Sequence, residues 1–205
     1  MSTLEHDHEQ EHSAPSHHLP PALVAHQQRR AVLFFILADA VFFACLLFSY
    51  FYIRALNVNG GWLPDGTNTV ASWQVWLITG VIVVSALVYR SAETGIRAGQ
   101  QPRFRTGALG GILLLVVAIA LAVYQAMTWP ILMSDGTYAS MFIVMAGVQL
   151  VHLVLLLIVA FGIWNRGVKG KLDDGNYNHA TLVGYFWYWV ALTSVLAACT
   201  TFFVH

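Results

Sequence analysis

Five long apolar stretches dominate this chain, and each is long enough to cross a lipid bilayer as a helix. A helix rises about 1.5 Å per residue, so about 20 apolar residues cover the roughly 30 Å of bilayer hydrocarbon. The stretches are Ala31 to Ile53, Trp73 to Tyr89, Gly107 to Trp129, Tyr138 to Trp164 and Leu182 to Val204. The chain is 58% hydrophobic and only 10% charged, which is unlike a soluble domain of this size. We therefore expect an all-α integral membrane protein, built as a bundle of five transmembrane helices.

The positively charged residues fall almost entirely on one side of these stretches. Lys and Arg are retained on the cytoplasmic side during membrane insertion, so their distribution predicts orientation. Of the 10 Lys and Arg residues, all but Arg54 flank the side that contains the N-terminus. These residues are Arg29, Arg30, Arg90, Arg97, Arg103, Arg105, Arg166, Lys169 and Lys171. The asymmetry predicts a cytoplasmic N-terminus and a C-terminus on the outside.

Residues 1–30 differ in composition from the rest and are predicted to form a disordered, His-rich cytoplasmic tail. Most of the 9 histidines of the chain lie here, among Glu, Asp, Ser and Pro: His6, His8, His12, His17, His18 and His26. Such a polar segment cannot bury enough apolar surface to fold. The histidines lack the spacing of a metal site, so a solvated tail is favoured over a metal-binding one. The remaining residues, 31–205, are predicted to form one membrane domain.

Polar side chains inside a bilayer are costly, so each is a candidate for function. Two ionisable residues lie in the predicted spans, Asp39 near the centre of the first and His152 in the fourth. For Asp39, a specific role and a purely structural interhelical hydrogen bond are equally open. For His152, a packing role is favoured over metal ligation. Gln125 and Gln149 are neutral and are predicted to make interhelical polar contacts.

Four residues near the predicted span ends are candidates for interfacial or lipid contacts. They are Arg54, Trp62, Trp73 and Trp76. Amphipathic indole rings are favoured at the membrane surface, and Arg54 is the only basic residue on the outer side. Turn-forming residues between Arg54 and Ser72 predict an ordered outer loop capped by Trp62.

No catalytic or metal-binding residue is predicted in this chain. A membrane haem needs paired axial histidines on facing helices, and a copper centre needs further His or closely spaced Cys. One intramembrane histidine cannot supply either set. Clustered His boxes, H-E-x-x-H and G-x-S-x-G are also missing from the sequence. Small residues such as Ala118, Ala122 and Gly147 allow close helix packing, which suits a subunit that works through a partner.

Four motifs follow one another along the chain in the order and spacing of a known membrane-protein family. Phe35 to Phe43 resembles the family motif F-I-x-S-E/D-x-x-x-F, with Asp39 at the acidic position. Ser134 to Phe142 is similar to S-D-G-x-Y-G-S-x-F, and Gly147 to Leu153 follows G-x-H-G-x-H-V. Tyr185 to Trp189 stands where the family has Y-W-H-F-V-D. In this order the motifs resemble subunit III of the haem–copper respiratory oxidases, in its short five-helix bacterial form.

The chain departs from the family pattern at three polar positions. Gln149 replaces the first histidine of the third motif, Tyr188 replaces the histidine of the last span, and Ala191 replaces the following aspartate. The chain therefore resembles a divergent member of the family. The resemblance carries over a proton-uptake or lipid-cleft role to Asp39 alone, and a packing role to His152.

The resemblance implies a multi-pass protein of the bacterial inner (plasma) membrane that carries no redox centre. Haem and copper would belong to partner subunits, with subunit I as the main contact and subunit II and small subunits as further partners. The implied function is to stabilise the catalytic subunit, bind phospholipid and support proton uptake in an oxidase that uses cytochrome c or quinol. A formal net charge of zero gives no indication of nucleic-acid binding.

Two alternatives remain open on the sequence. The first is the related accessory membrane protein of nitric-oxide reductase systems, which shares the five-span form. The second is a small proton channel or transporter built around Asp39 and His152. One acid and one imidazole on separate spans give no continuous polar pathway, which argues against the second.

Overall fold

The structure is a computed structural model that describes residues 20–57, 61–66, 69–129, 131–172 and 177–203. Five α-helices follow one another: α1 (Pro21–Leu56), α2 (Ser72–Arg97), α3 (Gln101–Thr128), α4 (Thr137–Val168) and α5 (Asn178–Cys199). Short 3-10 helices span Met133–Asp135 and Thr200–Phe203. All five α-helices are long and apolar enough to cross a membrane. The predicted fold class, an all-α membrane bundle, is confirmed.

Several helices extend beyond the apolar stretches that predicted them. α1 begins at Pro21, so residues 21–30 are helical and do not belong to a disordered tail. Proline is well suited to the first turn of a helix, because its fixed φ matches the helix and its missing N–H is not needed there. α2 continues past Tyr89 to Arg97. The apolar stretch did not predict this extension, because the last turns of the helix are largely polar. Residues 1–19, the turn predicted at 173–176 and Val204 lie outside the described residues.

The helices alternate in direction, so the bundle has two distinct ends. At one, which we call the Trp62 end, α1, α3 and α5 finish and α2 and α4 begin. At the other, the Arg97 end, α2 and α4 finish. α2 and α3 form a tight hairpin that turns at Gly99, whose φ of +73° is a left-handed conformation that glycine adopts without strain.

α5 lies at the centre of the bundle and α1 at its edge. In the most apolar part of α5, 50% of the residues are buried, against 6% in α1. The main core contains Tyr89, Phe104 and Trp187, all fully buried. The rings of Tyr89 and Trp187 stack with centroids 4.3 Å apart, which joins α2 to α5. α1 therefore depends on a small number of contacts to stay on the bundle.

The loop after α1 folds back over the Trp62 end. Trp62 is buried, with its ring centroid 5.0 Å from that of Tyr50 and 5.8 Å from that of Tyr138. Its carbonyl accepts a hydrogen bond of 3.1 Å from the Tyr138 N–H. Among the described residues 61–66, Trp62 packs into this end of the bundle. The predicted lipid contact of Trp62 is not observed, because its ring is enclosed between Tyr50 on α1 and Tyr138 on α4.

Candidate functional site

Asp39, His152 and Trp189 meet at the junction of three helices. The Asp39 carboxyl on α1 lies with Oδ1 3.0 Å from Nε2 of His152 on α4. Its other oxygen, Oδ2, accepts a hydrogen bond of 2.6 Å from Nε1 of Trp189 on α5. The side chains of His152 and Asp39 are 7% and 14% exposed, so most of this contact is shielded from the surroundings. Three helices are thus joined at one carboxyl group.

The junction leaves one ring nitrogen of His152 without a partner among the described residues. Both oxygens of Asp39 face ring nitrogens. His152 Nδ1 is buried and has no partner in the described part of the chain.

Trp189 completes the junction, although sequence reasoning did not single it out. It was recognised only as part of the last-span motif, although an indole N–H inside a membrane needs an acceptor. Asp39 is that acceptor. The need of the Trp189 N–H for an acceptor was therefore the sequence signal that could have connected the last span to Asp39 in the first.

Glu93 forms a second polar cluster, at the Arg97 end. It is only 6% exposed, although the apolar stretch used to predict α2 ended at Tyr89. The Tyr188 hydroxyl on α5 donates to Glu93 Oε2 at 2.8 Å, and Arg97, one helical turn further along α2, forms a salt bridge with Oε1. A Cβ on Gly184 would lie 2.9 Å from Oε2, so the missing side chain makes room for the carboxylate. Tyr188, the residue that replaces a family histidine, thus has a defined partner.

The two glutamines behave differently. Gln149 on α4 donates from Nε2 to the Ser194 hydroxyl on α5, and its Oε1 accepts from Thr193 at 3.4 Å. Gln125 on α3 is only 8% exposed, and its Nε2 has no hydrogen-bond partner among the described residues. The structure therefore places an interhelical hydrogen bond at Gln149 and none from the amide nitrogen of Gln125.

The other predicted interfacial residues lie at the Trp62 end. Trp73 is 67% exposed on the first turn of α2, as a ring in contact with lipid would be. Trp76 is half-buried, with its ring 5.6 Å from that of Phe202. Arg54 is half-buried in the last turn of α1.

Metal-ligating side chains are dispersed over the described ranges. Within them, three or more His, Cys, Asp or Glu residues never come together in a group that could hold a metal ion. Asp39 and His152 alone would supply two ligands, fewer than the four of a structural zinc site. The chemistry available at the Asp39 junction is hydrogen bonding between helices.

Comparison with known proteins places this architecture in a family. A family model described as cytochrome c oxidase subunit III matches residues 4–200. The cytochrome c oxidase subunit 3 of Prototheca wickerhamii is 26% identical over 184 residues, which cover 84% of this chain and 66% of that protein. The corresponding protein of Arabidopsis thaliana is 25% identical over 167 residues, covering 78% and 62%.

A vertebrate relative gives the same result. Cytochrome c oxidase subunit 3 of Scyliorhinus canicula is 27% identical over 150 residues, which cover 68% of this chain and 54% of that protein. The chain thus spans less than two thirds of the length of these relatives. Since the family match runs through all five helices and includes Asp39, Glu93, His152 and Trp189, the chain belongs to the cytochrome c oxidase subunit III family.

Proposed function

We propose that this chain is a non-redox accessory subunit of a bacterial haem–copper terminal oxidase in aerobic electron transport. The observation that carries the proposal is the family match over residues 4–200, which includes all five helices. Haem and copper are held by partner subunits, and this chain acts through its contacts with them. Its main partner is subunit I, with subunit II and small subunits as further neighbours.

The exposed surface of α1 supports a role in assembly. Along α1, Phe34, Leu37, Val41 and Phe48 are all more than half exposed, so most of the helix surface is open to lipid or to a partner. In a membrane, helix association depends on close packing and interhelical hydrogen bonds rather than on the hydrophobic effect. We propose that subunit I and bound phospholipid share the outer surface of the bundle, and that the Asp39 junction holds α1 in position for both.

Asp39 supports proton uptake indirectly under this proposal. Its carboxyl faces His152 and Trp189 in the bundle, and both of its oxygens have a partner. A carboxyl group held by both of these side chains positions the three helices. The catalytic subunit then continues to take up protons, because the protein surface around its proton entrance stays packed and covered by lipid. The N-terminus faces the cytoplasm, as the distribution of Lys and Arg indicates.

The test is a long oxygen-consumption trace recorded on the complex with and without this subunit, at equal haem concentration. The depleted enzyme should keep its haem spectrum and initial rate, because every redox centre lies elsewhere, and should then lose activity faster during turnover. Immediate loss of haem and activity would instead indicate a role in building the centre. A complex that reduces nitric oxide and not oxygen, or an unchanged trace, would overturn the proposal.

A further inference from the structure

A polar cleft of about 460 Å³ opens to the surroundings at the Arg97 end, between α1, α2 and α5. Its volume lies within the roughly 300–1,000 Å³ that is typical of ligand-binding clefts. The polar residues in its wall include Arg29, Arg97, Asn178, Thr181 and Tyr185. No Asp or Glu is among the described residues that line it. The cleft is separate from the Asp39 junction, since none of the three junction residues lines it.

Arg29 on α1 brings a positive charge to this cleft. Its guanidinium carbon lies 5.7 Å from the centre of the Tyr185 ring on α5, which is a cation–π contact. Among the described residues, Arg29 forms no salt bridge. A ring face does not use up the five N–H donors of an arginine, so Arg29 has donors left for a ligand in the cleft.

Arg97 on α2 adds a second guanidinium group. Its Nη2 forms the salt bridge with Glu93 and also donates to the Thr181 hydroxyl at 3.1 Å. Glu93 therefore balances one of the two arginine charges, and the described residues leave the other unbalanced. The Arg97 side chain is 49% exposed, so its remaining N–H groups are accessible to a ligand.

Hydrogen bonds between helices hold the walls of the cleft in place. Asn178 on α5 donates from Nδ2 to Gln28 on α1 at 3.2 Å, which fixes one wall against the other. The bond from Arg97 to Thr181 joins α2 to α5. Two guanidinium groups from different helices thus line one space before any ligand binds, and a preformed site loses less conformational freedom on binding.

The cleft lies at the level where the predicted spans meet water. Arg29 precedes the first apolar stretch by two residues, and Thr181 comes directly before the last, which begins at Leu182. Lipid headgroups lie at this level of a bilayer, and basic residues there attract anionic lipids. A soluble anion would have to compete with the many lipid phosphates beside the cleft.

We propose that this cleft binds the phosphate of an anionic phospholipid headgroup. The guanidinium groups of Arg29 and Arg97 donate to the phosphate oxygens, because their planar arrangement of N–H groups matches a phosphate. The site deepens the phospholipid binding proposed above and rests on it. The contacts of this chain with the catalytic subunit do not depend on it.

The first test is native mass spectrometry of the detergent-solubilised complex at increasing mole fractions of phosphatidylglycerol. The wild type should bind one lipid saturably that Arg29→Gln binds only at about tenfold or higher mole fraction, because a charge-assisted hydrogen bond is lost. Arg30→Gln is the matched control, since Arg30 is an exposed neighbour with the same charge that does not line the cleft. It should bind lipid as the wild type does.

Equal weakening in Arg29→Gln and Arg30→Gln would indicate general attraction by charge and overturn the site, as would wild-type binding in both variants. A complex that bound no phospholipid at any position would instead overturn the lipid binding on which the site rests. The two failures are therefore distinguishable.

Measurements on the wild type identify the source of the phosphate and do not require a variant to assemble. Excess dioleoylglycerol, which has acyl chains but no phosphate, should not displace phosphatidylglycerol, and neither should inorganic phosphate. Displacement by dioleoylglycerol would overturn headgroup recognition, and displacement by inorganic phosphate would assign the cleft to a free anion. A high-resolution map of the complex should show a phosphate within about 3 Å of the Arg29 guanidinium. An acidic side chain in its place, from this chain or from a partner protein, would overturn the proposal.

Discussion

Asp39 and His152 are separated by 113 residues in the chain, yet Oδ1 of one lies 3.0 Å from Nε2 of the other. This contact and the Asp39–Trp189 hydrogen bond are polar links between the middle of α1 and the rest of the bundle. Near the Arg97 end, Asn178 donates to Gln28 at 3.2 Å, and near the Trp62 end, Tyr50 donates to the Thr200 carbonyl at 3.2 Å. Asp39 lies between these two links. It therefore supplies a polar contact from the middle of α1 to α4 and α5.

Replacing Asp39 with leucine should weaken the attachment of α1. The change leaves the N–H groups of His152 and Trp189 without their acceptor, which costs about 2 kcal/mol or more. Asp39→Asn keeps an acceptor oxygen and should cost roughly half as much. The measurement is the thermal midpoint of the purified complex and the yield of assembled subunit. Equal stability of both variants and the wild type would rule out a structural role for the junction.

Sequence reasoning identified Asp39 and His152 separately but did not predict their contact. Hydropathy locates a helix along the chain, because the cost of crossing hydrocarbon depends only on composition and length. It does not specify which face of α1 turns toward α4, since that is decided by side-chain packing between helices. Glu93 was missed for a related reason. It lies one turn beyond Tyr89, where the predicted apolar stretch ends, so the sequence predicted that it faces water, whereas the helix continues and α5 covers it.

The Glu93 cluster should stabilise the contact between α2 and α5. Tyr188→Phe removes the hydroxyl that donates to Glu93 Oε2 at 2.8 Å and should cost about 1 kcal/mol. Glu93→Leu should cost more, because it leaves the Tyr188 hydroxyl and the Arg97 guanidinium without their acceptor and places a larger apolar group beside Gly184. Thermal unfolding of the complex measures both changes. Tyr52→Phe is the matched control, since Tyr52 is 54% exposed on α1 and should tolerate the loss of its hydroxyl. A Tyr188→Phe variant as stable as this control would contradict the assignment.

The orientation of the bundle can be tested with two introduced cysteines in a background that carries Cys45→Ala and Cys199→Ala. Met133 is 59% exposed at the Trp62 end, and Lys169 is exposed just after α4 at the Arg97 end. The charge distribution predicts that an impermeant maleimide reaches Met133→Cys from outside the cell and Lys169→Cys only from the cytoplasmic side. These positions are preferable to the neighbouring Gly136 and Gly170, whose φ angles of +130° and +69° disfavour a side chain. Labelling of both cysteines from one side would contradict the antiparallel bundle.

The close approach of α2 and α3 depends on Gly107. A Cβ at this position would lie 2.8 Å from the Cβ of Ala92 and 3.3 Å from its Cα. Ala92 is fully buried and its backbone cannot turn aside, so Gly107→Ala must push the two helices apart. Overpacking of this kind costs about 1–3 kcal/mol. The thermal midpoint of the complex should fall accordingly.

Gly80→Ala provides the matched control for Gly107→Ala. It makes the same change on α2, where a Cβ would meet no atom within 4 Å, so stability should be unchanged or slightly raised by the better helix propensity of alanine. A comparison of the two variants separates helix packing from helix propensity, because of these two glycines only Gly107 lies within 4 Å of a neighbouring helix. If both variants unfolded at the wild-type temperature, the close contact at Gly107 would not contribute to holding α2 against α3.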